Sequence, residues 1–196
     1  MRKIIASIFM TLDGVYQAPG DPKEFERGGW AFRYSKPSED SLKYATDQLF
    51  AADALLMGRV TYEGFAKAWP SMPEDPAGYA KRMNSLPKYL VSSTLKNAEW
   101  NNTTILTGNF ADEVMRLKQQ PGQNILVFGS GQLVVSLLRL HILDELRLVV
   151  SPVVLGAGEH FFKEGEPQGL KLIDARSFSS GVVVMAYQSA GGDGRS

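Results

Sequence analysis

Three short clusters in this chain have the residue types that hold a polyanion. Gly58-Arg59-Val60-Thr61 follows the apolar run 54–57. A helix starting there offers unpaired backbone N–H groups and the positive end of its dipole. Glycine lets a phosphate approach the backbone, and Arg59 adds a forked cation. Ser92-Ser93-Thr94 follows the run 88–91 and supplies three hydroxyls able to bond phosphate or ribose. Gly129-Ser130-Gly131-Gln132 joins the apolar run 125–128 to a helix whose apolar residues are Leu133, Val134, Leu137 and Leu138. Taken singly, each cluster is also what a plain helix cap or tight turn contains. The third departs from G-x-G-x-x-G by placing Val134 at the third glycine, and it lies late in the chain, which disfavours a standard dinucleotide-binding half. Together they say more, because open α/β sheets bind ligands beyond the carboxyl ends of their strands. One nucleotide could touch all three, its adenosine phosphate at Arg59, Ser92 and Ser93 and its pyrophosphate at residues 129–132.

The elements that must position these clusters follow from the pattern. The mostly apolar run 3–10 reads as a buried strand. Residues 13–38 are rich in Gly, Pro and charge and read as a long, functional or mobile loop. Ser38 or Asp40 can cap a helix to about residue 52, with Leu42, Ala45, Leu49 and Ala52 facing the core. Strands are expected over 54–57, 88–91, 103–106, 125–128, 145–151, 171–177 and 182–188, with the last two forming a hairpin. Residues 69–87 hold four prolines and should be irregular, with a short helix near 77–84. Asn109 caps a helix through Gln119, stopped by Pro121-Gly122. Strands alternate with helices and then follow one another, so the fold class is α/β with a mostly parallel sheet and an antiparallel C-terminal hairpin. A single domain over 1–190 and a disordered tail over 191–196 are expected.

Composition narrows the chemistry. Lys+Arg and Asp+Glu number 21 each, so there is no basic field for nucleic acid. There is no cysteine, which excludes disulfides, thiol nucleophiles and thiolate metal sites. Only His141 and His160 are present, which makes a multi-histidine metal centre poor. His141 can complement a helix C-terminus, and His160 lies between Glu159 and Phe161 with no further ligand set. The first ten residues are shorter in apolar run than a signal peptide, and no stretch approaches a membrane span, so a cytoplasmic protein is expected.

These blocks, in this order, resemble the dihydrofolate reductase superfamily. They are most similar to the stand-alone reductases related to the C-terminal domain of bifunctional riboflavin-biosynthesis deaminase-reductases. The matching pieces are residues 10–14, 56–63, 89–95, 127–133 and 144–158. The resemblance covers about residues 3–188 and implies a three-layer dihydrofolate-reductase-like fold, NADPH as cofactor and a homodimer. It implies that Arg59 and Thr61 lie near the adenosine phosphates, with Gly58 opening their turn. Ser92 and Ser93 would help hold the 2′-phosphate. Gly129, Ser130, Gly131, Gln132 and Leu133 would hold the pyrophosphate and nicotinamide ribose. Asp13-Gly14 would begin a mobile loop over the nicotinamide. Two departures stand out: Leu42 occupies the place of the family's acidic residue on the first helix, and Ser7 that of the riboflavin-pathway lysine.

A reductase of this kind needs a proton as well as a hydride, and Asp40 and Asp47 are the candidate donors, each also readable as a solvated helix charge. Trp30, Phe32, Tyr62 and Trp69 could stack on a flat heterocycle, such as a pterin, pyrimidine or flavin precursor, or could be ordinary core. The competing reading is a nucleotide- or ligand-binding protein on the same fold without turnover. A third is a homodimeric interaction module built on the valine-rich C-terminal strands.

Overall fold

The computed structural model of the chain describes residues 1–163 and 167–189, and the tail expected over 191–196 lies outside them. In chain order the elements are β1 (Ile4–Thr11), α1 (Trp30–Arg33), α2 (Glu39–Phe50), β2 (Ala52–Gly58), α3 (Arg59–Ala68), a 3-10 turn (Trp69–Ser71), α4 (Tyr79–Ser85), β3 (Lys88–Val91), β4 (Thr103–Leu106), α5 (Phe110–Gln119), β5 (Asn124–Phe128), α6 (Gly131–Arg139), β6 (Glu145–Ser151), β7 (Leu170–Ser177) and β8 (Val183–Ser189). This is the expected α/β order, parallel among β2 to β5 and antiparallel at the C-terminal strands. The long segment 13–38 is not wholly a loop, since it contains α1. Among the described residues no helix is long and apolar enough to cross a membrane.

The residues group into two compact units, one of Met1–Ala6 with Ala45–Asp144 and the other of Ser7–Tyr44 with the chain from Glu145 onward. Both β1 and α2 contribute to each.

In the first unit the strands pair in the order β4-β3-β2-β5. The centre of β2 is buried on both faces, which is why 54–57 reads as an unbroken apolar run. One core cluster joins Leu49, Leu55, Met57, Tyr62, Met83 and Trp100, with Phe65 and Trp69 packed against it. Lys88 is fully buried in β3. Its ammonium donates to the carbonyls of Leu86 at 2.7 Å, Asn84 at 2.9 Å and Asn101 at 3.2 Å, and lies 4.3 Å from the Trp100 ring centre. Among the described residues no carboxylate pairs with this charge, and its bonds to carbonyls tie the end of α4 to the loop before β4. The Asn109 side chain caps α5 by accepting the Asp112 N–H, as its sequence position predicts.

In the second unit the strands pair in the order β6-β8-β7, and every residue of β7 after Leu170 is exposed. A small core joins Val15, Trp30, Ala31 and Leu155. Gly158, at φ +122°, packs its backbone against Val15, where a Cβ would come within 2.7 Å of Cγ1. Leu42 on α2 is 55 % exposed and not in the core as expected, whereas Leu49, two turns further along the same stripe, is fully buried.

Candidate functional site

Register assembles the first unit's chemistry. Gly58 lies beside Val91, and Val91 beside Leu106. Leu56 lies beside Val127, so the same parallel register carries Gly58 to the level of Gly129. Parallel strands cut off at one level send their next residues out of one edge: Arg59, Ser92, Thr107 and Ser130.

At that edge Arg59, Ser92 and Ser93 line a single open groove of about 760 Å³. Lys96, Thr107 and Gly108 line it too. None of these last three was singled out from sequence, although the strand-end argument applies to β4 as well as to its neighbours. Thr107-Gly108 directly follows β4, and Lys96 follows the serine turn by three residues. Arg59 is 46 % exposed and bonded to Glu63 on its own helix at 3.0 Å. Ser92 turns its hydroxyl back on the chain, accepting the Leu95 N–H at 3.0 Å and so fixing the turn that presents Ser93.

The Gly58 and Gly129–Gly131 turns are joined directly. Gly58 N–H donates to Ser130 Oγ at 2.9 Å, and Ser130 Oγ–H donates to Thr61 Oγ1 at 2.8 Å. Gly129 and Ser130 both have positive φ, 55° and 57°, which glycine adopts freely and serine does not. The N-termini of α3 and α6 have no side-chain cap, so their first N–H groups are left to other acceptors. Gly131 and Leu133 are buried, and Gln132 is exposed.

The second unit treats its expected site residues differently. The Asp13 carboxylate accepts the Thr11 hydroxyl at 2.5 Å, the Gly156 N–H at 2.7 Å and the Leu155 N–H at 3.2 Å. Burial raises its proton affinity, but these bonds outweigh burial and hold its pKa below the usual carboxylate value. Gly14, at φ 84°, donates to Thr11 O and accepts from Phe161 N–H. Asp13-Gly14 is therefore a hydrogen-bonded turn. Asp40 is fully exposed and accepts from the Ser38 hydroxyl and from the Ser179 N–H and hydroxyl, which lower its pKa to about 2. A carboxyl ionised so strongly is a poor proton donor at neutral pH. Asp47 lies on an exposed position of α2.

Two expected stacking rings are core residues. Trp30 has no exposed surface and donates its indole N–H to Gln17 O at 2.8 Å. Tyr62 is 3 % exposed, its hydroxyl accepting the Trp100 N–H at 2.9 Å. A ring with no accessible face cannot stack on a ligand. Trp69 is half-buried in an aromatic group with Phe65 and Tyr79, and Phe32 is 55 % exposed.

Comparison with known proteins gives consistent matches. A family model described as the RibD C-terminal domain matches residues 2–184. The chain is 30 % identical over 189 residues to YyaP of Bacillus subtilis (strain 168), a protein described as uncharacterized, covering 95 % of this chain and 94 % of that one. Among solved structures it is similar to a candidate riboflavin biosynthesis protein from Shewanella sp. PV-4, with a TM-score of 0.73, 20 % identity, and 95 % and 98 % of the two chains covered. It is also similar to dihydrofolate reductase from Enterococcus faecalis complexed with NADP(H) and RAB-propyl, with a TM-score of 0.61, 14 % identity and 96 % of each chain covered.

Proposed function

The chain belongs to the RibD C-terminal domain family, a reductase fold related to riboflavin biosynthesis and to dihydrofolate reductase, and on that premise we propose that it is an NADPH-dependent reductase of a small heterocycle. The observation that carries this reading is the single groove that brings Arg59, Ser92 and Ser93 to one strand-end edge. Its donor set suits a phosphorylated nucleotide: two cations, Arg59 and Lys96, among the hydroxyls of Ser92, Ser93, Thr94 and Thr107. Its volume is in the range of cofactor clefts. The E. faecalis reductase is described in complex with NADP(H), which supports the same cofactor here.

In this reading Arg59 and Lys96 hold the 2′-phosphate with Ser92 and Ser93. Gly58, Thr61 and the turn Gly129–Leu133 hold the pyrophosphate and the nicotinamide ribose. When bound, NADPH supplies the hydride. Asp13 and Gly14 form a hydrogen-bonded turn of the second unit, and the Asp13 charge is not used on a ligand. The protein works as a cytoplasmic homodimer, and the dimer is supported by the exposed apolar residues Leu172 and Ile173 of β7, the last strand in its row. Sedimentation at micromolar concentration tests that part.

The cofactor assignment is tested by Arg59→Ala. The loss of a charge-assisted phosphate contact should weaken NADPH about 10- to 100-fold. NADH, lacking the 2′-phosphate, should lose far less. Equal losses for both would remove Arg59 from the 2′-phosphate. Turnover is tested by following loss of reduced nicotinamide with pterin, pyrimidine and flavin-precursor substrates.

One observation favours a second reading, a binding protein without turnover. Among the described residues every carboxyl with a shifted pKa, namely Asp13, Asp40, Asp75 and Glu159, is shifted down, away from a neutral-pH acid. Tight NADPH binding with no oxidation across that substrate panel would establish it.

A further inference from the structure

Ser130 does something at its turn that its neighbours do not. At φ 57° and ψ 54° it holds a left-handed conformation in which glycine is free and a side chain is strained. A serine kept there needs a compensating interaction, and its hydroxyl has two. Ser130 Oγ accepts the Gly58 N–H at 2.9 Å and donates to Thr61 Oγ1 at 2.8 Å.

The direction of these bonds matters. A hydroxyl has one proton to give. The Gly58 N–H can only donate, so Ser130 Oγ receives there, and the Ser130 hydroxyl is directed at Thr61 Oγ1 as the donor of that second bond. Thr61 Oγ1 is thereby occupied as an acceptor, and its proton is turned away from Ser130. Thr61 is the third residue of α3, whose uncapped first turn also offers N–H donors. A chain of hydrogen bonds of one polarity strengthens its terminal donor.

Resting on the NADPH reading above, we propose that Ser130 is a positioning residue. Through it the Thr61 hydroxyl is held as a donor to a dinucleotide phosphate, so that the end of this relay accepts an anion and rejects a donor group. Ser130 itself touches no ligand. The role assigned to the Gly129–Gly131 turn thus divides: the glycines let the backbone bend, and the serine sets the polarity of the helix beside it.

The test uses the full-length chain with Ser130→Gly, Thr61→Val, the double variant and Thr61→Ser. Ser130→Gly removes the hydroxyl and relieves the backbone, so it should fold. Ser130→Gly and Thr61→Val should each weaken NADPH about tenfold. The double variant should be no weaker than either, because one missing link already breaks the relay. Thr61→Ser should restore affinity to within about twofold, since it returns the hydroxyl. Unlike Arg59→Ala, both losses should be equal for NADPH and NADH, because both carry the pyrophosphate. The Gly58 amide proton resonance of the ligand-free protein should move in Ser130→Gly. Multiplying losses in the double variant, or unchanged affinity in Ser130→Gly while the parent binds NADPH, overturns the relay alone. Failure of the parent to bind either nucleotide overturns the relay and the cofactor reading together.

Discussion

The two units put their polar side chains to opposite uses. In the first, Arg59, Ser93 and Lys96 face a groove, and the joined turns at Gly58 and Ser130 leave two helix N-termini without side-chain caps. In the second, Asp13, Trp30 and Asp40 all bond to their own unit: to Leu155 and Gly156, to Gln17 and to Ser179. A side chain's type states what it could do, while the destination of its hydrogen bonds decides whether that capacity is available to a ligand. Substitutions in the first unit's groove should therefore change affinity, and substitutions at these second-unit residues should change stability.

The strongest test of that contrast is Trp30→Ala. Removing a fully buried indole should cost about 3–5 kcal/mol, read as a lower denaturant midpoint, with NADPH affinity of the folded protein unchanged. A raised KM for a heterocyclic substrate at unaltered stability would instead return Trp30 to the substrate site. Asp13→Ala is next. Three donors lose a charged acceptor, at a cost of about 2 kcal/mol. Because the Asp13 pKa is lowered on folding, its contribution is complete above the unfolded value near 3.8 and fades as pH falls below it. Asp13→Ala should therefore flatten the acid limb of stability. A loss of NADPH affinity greater than about tenfold at unchanged stability would place Asp13 on the cofactor.

Lys88 sharpens the comparison, since it lies in the first unit yet behaves like the committed residues of the second. Burial pushes its pKa down to about 8 from 10.5. Between those values the unfolded chain binds the proton that the folded chain has lost, so stability rises with pH, by at most about 1.4 kcal/mol per pH unit. Tyr16 and Tyr79 act oppositely: burial, with nearby Glu159 and Asp75 respectively, raises each to about 12, so their contribution falls above 10. The Lys88 signal is therefore clean from pH 8 to 10. Denaturant midpoints in that window should climb for the parent and stay level for Lys88→Met. A level parent would show that Lys88 keeps its proton.

Much of the frame was legible in the sequence. The bounds of β3, β4 and β6 match the expected runs, because turn residues punctuate buried apolar segments there. The Asn109 cap was legible because its chemistry is local. The groove was partly legible: two of its strand ends, at Arg59 and at Ser92-Ser93, carried residue types recognisable from sequence, but Thr107-Gly108 and Lys96 gain meaning only from the parallel register that sets β4 beside β3. Trp30 and Tyr62, expected as stacking rings, are core for the same reason. Their partners Gln17 and Trp100 lie 13 and 38 residues away, and no local pattern announces a partner at such distance. Ser130 shows the limit most clearly, since its sequence position marks a turn while its role depends on Gly58 and Thr61, some 70 residues earlier.

The smallest expected effect tests whether the groove residues are as available as the contrast requires. Arg59 is not free, since Glu63 one helical turn on holds its guanidinium at 3.0 and 3.2 Å. Both partners are about half exposed, and exposed pairs of this spacing contribute only about 0.3–0.5 kcal/mol. A phosphate can compete with that, and doing so forfeits the pair's small stabilisation. Glu63→Gln should therefore release Arg59 and tighten NADPH by about twofold at low salt. The gain should shrink at high salt, where the carboxylate's charge is screened. NADH affinity and thermal stability should hardly move. Weaker NADPH binding would mean that Glu63 orients Arg59 for its phosphate instead of competing for it. Arg59 would then join Thr61 as a donor whose direction is set by a neighbour.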